Sequence, residues 1–263
     1  MSVLLGRAAI AQGALHGIRR IRADEPWRWL AAGWADMQAV PSISLAYGFV
    51  FFLASLSLVG TLFLLNLGAL VPVMAAGFLL LGPMLAVGLY EASRRLEAGL
   101  SVHFSDVAFV STRNLTQLAL LGAMLMGAMI VWLQVAGWLF AAFYGSSALP
   151  PLAEFIPALL LTVRGLTLLV VGTAAGAVLA FAVFTISAIS VPLLLARDVD
   201  AVTAVLTSIE AVRRNFWPML LWGWIVTLLT AFGIATGFLG LVVIFPLLGH
   251  ATWHAHRALT ADA

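Results

Sequence analysis

Four stretches of this chain contain no Asp, Glu, Lys or Arg: residues 37–90, 114–153, 165–196 and 215–256. Each exceeds the roughly 20 apolar residues that one helix needs to cross a bilayer. Inside a bilayer the backbone must satisfy its own polar groups, so such runs read as helices. The composition agrees. Hydrophobic residues make up 63%, charged residues 9%, and the mean hydropathy is +1.10, whereas a soluble domain carries about 25% charge. A soluble globule, a disordered chain and a coiled coil are excluded. The chain reads as an all-α polytopic membrane protein.

Length divides the runs into six transmembrane helices in three hairpins. The first run holds two helices, with Asn66-Leu67-Gly68 as the turn. The second holds one, over residues 115–144, and the third holds one, over 166–195. The last holds two short helices with a break at 233–240. All 13 basic residues are arginine. With the N-terminus inside, Arg7, Arg19, Arg20, Arg22, Arg28, Arg94, Arg95, Arg113, Arg197, Arg213, Arg214 and Arg257 are cytoplasmic, and Arg164 alone is external. That is a positive-inside distribution, and it places both termini in the cytoplasm. The external connections are short, so there is no external domain. Glu154 and Arg164 lie near this side and read as a rim ion pair.

Residues 1–26 form an N-terminal tail. Arginines interrupt residues 1–22 and no apolar core of a secretory signal is present. This tail reads as a surface helix attracted to anionic lipid. Residues 27–257 form a single membrane domain, and 258–263 a cytoplasmic tail. Within the domain, three units recur in the order surface helix, span, proline-bearing span: 27–97, 98–197 and 198–257. Their second spans share an apolar-Pro-[Met/Leu]-Leu string around Pro83, Pro192 and Pro246. The surface helices are amphipathic and interfacial. In the third, Val199, Val202, Val205, Leu206, Ile209 and Val212 share one stripe, and Asp198 or Asp200 caps the start.

The formal net charge of +2 is too small for a nucleic-acid binder. The absence of Cys removes disulfides, thiolate metal sites and cysteine nucleophiles. No Walker, Rossmann, nucleophile-elbow or zincin pattern occurs. No acidic residue lies mid-span, which argues against a proton-coupled transporter or cation pore. Gln134 and Asn66 are the main polar groups within the spans and read as hydrogen-bonding between helices. Gly172 and Gly176 form a small-residue packing face.

The sharpest candidate site is the C-terminal segment. His250 and His254 sit at i and i+4 on one helix face, a spacing that presents two imidazoles to one metal ion. His256 points elsewhere. A haem would need a second axial ligand from another helix or a second copy, and no other span contains His. The competing reading is structural: Trp253, His254, His256 and Arg257 end the helix at the membrane interface, and His250 hydrogen-bonds a carbonyl freed by a proline. A second segment sets Glu91 beside Arg94 and Arg95, at i+3 and i+4. It anchors a helix end or docks a headgroup or a partner carboxylate.

Three strings resemble one family. They are FPLLGHATWHAHR at 245–257, FLLLGPMLAVGLYEASRRLEAG at 78–99 and WRWLAAGWADMQAVPSISLAYG at 27–48. The family is a group of bacterial integral membrane proteins of unknown function, sometimes automatically labelled cytochrome c oxidase subunit I. The resemblance implies a bacterial inner-membrane protein and no established activity. The oxidase label does not fit, because that subunit needs haem ligands on several helices. The leading functional expectation is a non-enzymatic membrane protein that organises or assists other membrane components. It would contact the bilayer and a membrane-protein partner or a second copy, and no nucleic acid. The alternatives are metal or haem handling through His250 and His254, and a carrier for an apolar or lipidic substrate.

Overall fold

The structure, a computed structural model, describes residues 17–112, 114–145 and 150–260. The surface helix expected in the N-terminal tail falls largely outside the described residues. Twelve α-helices and no strand occur among those described. Surface helix α1 (Glu25–Ala39) leads through Val40 into α2 (Pro41–Leu64). A 3-10 turn (Gly68–Leu70) opens α3 (Val71–Leu85), which continues past Ala86 as α4 (Val87–Glu97). The short α5 (Phe104–Ala108) precedes α6 (Leu115–Tyr144), and α7 (Leu152–Leu161) precedes α8 (Val163–Ser187). The chain ends with α9 (Ser190–Ala196), α10 (Ala201–Arg214), α11 (Phe216–Ala235) and α12 (Leu241–Leu259).

Five helical stretches are long and apolar enough to cross a membrane: Pro41–Leu64, Gly68–Glu97, Leu115–Tyr144, Val163–Ala196 and Phe216–Ala235. The sixth expected span forms as α12, a helix of 19 residues that falls outside that set. Its second half carries His250, His254, His256 and Arg257, and those residues are turned into protein contacts rather than lipid. The hairpin arrangement also differs from expectation. The pairs α6–α8 and α11–α12 pack together, but α2 and α3 meet mainly through the 3-10 turn. The bundle-facing side of α2 is covered by α12, which also packs along α1 and α4.

Glycine explains how α12 fits so closely. A Cβ on Gly48 of α2 would fall 2.2 Å from the Val242 carbonyl oxygen. That carbonyl lies four residues before Pro246, which has no N–H to donate to it. Gly33 of α1 is also tight, with a Cβ there 2.6 Å from the Ala251 nitrogen. Beyond Gly48, α2 continues for about 24 Å at 1.5 Å per residue. Along that stretch Leu53, Leu56 and Leu58 are exposed and Gly60 faces open space.

The shared proline string has three different local outcomes. After Pro83, α3 breaks at Ala86. Leu89 N–H turns to the Ala86 carbonyl, and the Tyr47 hydroxyl donates to the Leu85 carbonyl at 2.8 Å. Before Pro192 the break falls at Ala188 and Ile189, where the proline ring would meet the carbonyl four residues back. Ser208 of α10 closes that gap: it accepts from Ile189 N–H at 3.3 Å and donates to the Thr185 carbonyl at 2.8 Å. At Pro246 the helix runs on.

Helix α10 starts on the expected cap, since Asp200 accepts from the Thr203 N–H at 2.9 Å. That bond holds the Asp200 carboxyl below its ordinary range. The apolar stripe does not face the bundle throughout. Thr203, Ala204, Thr207, Ser208 and Ala211 are buried, while Val202 and Leu206 are exposed. Small side chains permit close packing inside, Val199 and Val212 are buried with them at the two ends of the stripe, and Val202 and Leu206 are left outside. Where α6 ends and α8 begins, Arg164 lies over the Tyr144 ring at 5.9 Å, and no ion pair with Glu154 forms. Glu154 stays in the first turn of α7, where the helix dipole favours a carboxylate.

Candidate functional site

The i, i+4 spacing does place His250 and His254 on one face of α12, and four helices converge there. Helix α1 contributes Asp36, α2 contributes Ser44 and α4 contributes Ser93. Ser44 Oγ lies 2.9 Å from His250 Nε2, and Ser93 Oγ lies 2.8 Å from His250 Nδ1. The Ser93 hydroxyl donates to Asp36 Oδ2 at 2.6 Å, and His254 Nε2 reaches the same oxygen at 2.8 Å.

Proton counting fixes the tautomer. A serine hydroxyl has a single proton, and Ser93 gives its proton to Asp36. His250 Nδ1 must therefore carry a hydrogen and donate to Ser93. In the neutral ring Nε2 is then the acceptor, and Ser44 donates to it. Burial pushes the Asp36 carboxyl up. Hydrogen bonds from His254 and Ser93, with the nearby His254 charge, outweigh that and hold it below the usual carboxylate range.

A hydroxyl donating to an imidazole that is itself oriented by a third group is the arrangement of an activated nucleophile. Here Ser44 and His250 are both 0% exposed, so a substrate has no approach. The metal expectation meets a related obstacle. Both ring nitrogens of His250 and the Nε2 of His254 are already engaged. Among the described residues no group of three or more His, Asp or Glu side chains is placed to hold a metal ion.

A second layer surrounds this network. Arg94 grips Glu91 with two hydrogen bonds of 2.7 Å. Arg95 reaches Glu91 at 3.8 Å and Asp106 at 3.1 Å. Glu97 accepts from the Trp253 indole N–H at 3.0 Å and from Arg257 at 2.8 Å. Trp253 is 2% exposed, so it is an interior residue tethered to Glu97, not the interfacial anchor expected from sequence. His256 points away from His250 and His254, as its spacing requires. It is buried beside the Trp253 ring, with Nδ1 lacking a hydrogen-bond partner. His250 does not serve a proline-freed carbonyl.

The remaining expected polar and small residues are placed differently. Asn66 occupies the α2–α3 turn with a positive φ of 58°. Gln134 lies on the exposed face of α6. Gly176 packs against the Trp132 ring, whereas Gly172 faces open space.

Sequence reasoning missed Ser44, Ser93, Asp36 and Glu97. Their partners lie 206, 157, 218 and 156 residues away along the chain, beyond any local spacing rule. The available signal was chemical: His250 sits deep in an apolar helix and must find polar partners there.

A bundle of long apolar helices closed by one polar end defines a polytopic helical membrane protein. Residues 70–196, just under half of the chain, match the sequence model of the family described as Predicted integral membrane protein (DUF2189). Its description, an integral membrane family of unknown function, agrees with the family that the sequence strings resemble. No curated protein and no solved structure gives a match.

Proposed function

We propose that this is a non-enzymatic membrane protein that organises or assists other membrane components, acting through its polar end. The observation that carries this reading is the sealed Ser44–His250 pair. Among the described residues, this arrangement with catalytic geometry is buried among α1, α2, α4 and α12, and its polar atoms are satisfied by one another. A device of this kind fixes the relative positions of four helices, which is what a scaffold requires.

The exposed residues of this end support the partner side of the reading. Trp27, Trp34, Phe104, Phe109 and Trp217 are exposed around it, beside the exposed Arg19, Arg20, Arg28 and Arg213. Aromatic rings with arginines suit a membrane–water interface and the surfaces of neighbouring membrane proteins. The same arginine distribution supports a bacterial inner-membrane location with this end in the cytoplasm.

The test is direct. A fluorophosphonate probe labels an accessible serine that is activated by histidine. Detergent-purified protein should remain unlabelled at Ser44, and photo-crosslinkers at Trp27 and Trp34 should capture other membrane proteins. Labelling at Ser44 that disappears in His250→Ala would overturn the non-enzymatic reading. The metal-handling alternative predicts near-stoichiometric metal that is lost in the double variant His250→Ala/His254→Ala.

A further inference from the structure

Gln134 is out of place. It lies on α6, ten residues before the outer end at Tyr144 and nineteen beyond the inner end at Leu115. At 1.5 Å per residue, those distances are about 15 Å and 28 Å. The whole helix of 30 residues is about 45 Å long and overhangs a hydrocarbon core of about 30 Å, which, centred on it, puts the Gln134 backbone about 8 Å inside the outer boundary, beyond the few ångströms that a glutamine side chain spans. Its side chain is exposed and has no hydrogen-bond partner among the described residues. The buried face of the same helix, with Leu121, Leu125, Met129 and Trp132, already packs on α3 and α8. The free carboxamide therefore points toward lipid, where two N–H donors and one acceptor stay unsatisfied, an arrangement that is strongly unfavourable.

The residues around it describe what covers it. Ala123, Gly127, Ile130, Gln134, Gly137 and Ala141 follow i, i+4, i+7 spacing and share one stripe of α6. A Cβ added at Gly127 or Gly137 would meet nothing within 4 Å. Glycines one turn beyond the amide, at Gly137, and two turns before it, at Gly127, let a second helix backbone approach closely. A carboxamide is also self-complementary, because each can donate an N–H to the oxygen of an identical group. Two copies inserted the same way around in one membrane bring identical residues face to face across a two-fold axis.

We propose that α6 is a homodimer interface, in which Gln134 of one copy hydrogen-bonds Gln134 of the partner within the bilayer. This stands independently of the scaffold reading above. It gives α6 two distinct sides: one builds the bundle and the other joins two bundles.

The chain has no Cys, so single cysteines report contacts without background. Ile130→Cys or Gly137→Cys should form disulfide-linked dimers on oxidation in native membranes. Gly60→Cys, on the lipid-facing part of α2, should not. Gln134→Leu should weaken dimerisation in bilayers by about three- to thirty-fold, as for loss of an interhelical hydrogen bond, while Gln134→Asn retains most of it. Because Gln134 makes no side-chain hydrogen bond among the described residues, both variants should keep the wild-type melting temperature in detergent dilute enough to dissociate the dimer. Equal crosslinking at residues 60 and 130 would overturn the proposal. So would Gln134→Leu dimers of wild-type strength, or crosslinks from α6 to a different protein only.

Discussion

Gly48→Ala tests the central packing contact of the molecule. The new Cβ would lie 2.2 Å from the Val242 oxygen and 2.7 Å from its carbon. A close C–H···O contact needs about 3.3 Å, so α2 and α12 must separate by roughly 1 Å. The neighbour is backbone, not the flexible tip of a side chain, so local adjustment offers little relief. Overpacking of this kind costs about 1–3 kcal/mol. The same separation stretches the Ser44–His250 hydrogen bond from 2.9 Å past useful length, which adds about 1 kcal/mol. The total of about 2–4 kcal/mol corresponds to a fall of roughly 6–12 °C in melting temperature for a chain of this size. Gly60→Ala on the same helix is the control, because nothing lies within 4 Å of its added Cβ. It should melt slightly higher than wild type, since a mid-helix Gly→Ala change gains about 0.5–1 kcal/mol. The assay is tryptophan fluorescence of detergent-purified protein on heating. A Gly48→Ala protein that melts with Gly60→Ala would refute the close-approach reasoning.

The remaining expectations follow from the polar network. His250→Ala breaks two buried hydrogen bonds and Ser44→Ala breaks one, so melting temperatures should fall in the order wild type, Ser44→Ala, His250→Ala; the reverse order would show that the network is not what ties these helices. Asp36 has a lowered pKa, so its contribution is complete above the ordinary carboxylate value of about 3.9. It is lost as pH falls through the lower folded value. The melting difference between wild type and Asp36→Asn should therefore shrink on acidification from pH 7 toward pH 3, and a constant difference would contradict the assigned role. Chelator treatment should leave the wild-type melting curve unchanged, whereas a marked drop would favour the metal reading of His250 and His254.

Much of this architecture is legible in the sequence, because the bilayer imposes it locally. Charge-free runs locate α2, α3, α6, α8 and α11, and Asp200 marks the start of α10. The i, i+4 spacing puts His250 and His254 on one face, and i+3 pairs Glu91 with Arg94. What stays hidden depends on distant partners. Nothing local in GHATWHAHR distinguishes a helix leaving the membrane from one buried in the centre of a bundle. That difference lies in Gly33, Gly48, Ser44 and Ser93, on helices made far earlier in the chain. The α2–α3 pairing failed for the same reason: a short turn suggests a packed hairpin, but the face of α2 suits α12 better. Charge alone suggests pairing Arg164 with Glu154, but Arg164 instead lies over the ring of Tyr144.

The central position of α12 also sets an order of events. Residues 241–259 are synthesised late, yet they supply the surface on which α1, α2 and α4 close. Until they emerge from the ribosome, Asp36, Ser44 and Ser93 have no histidine to meet, and the glycine faces of α1 and α2 stay empty. Such long sequence separations slow folding and lengthen the life of incomplete forms. Loss of the C-terminal helix would therefore do more than shorten the protein: the first helices inserted would be left as unassembled clients for membrane proteases and insertases.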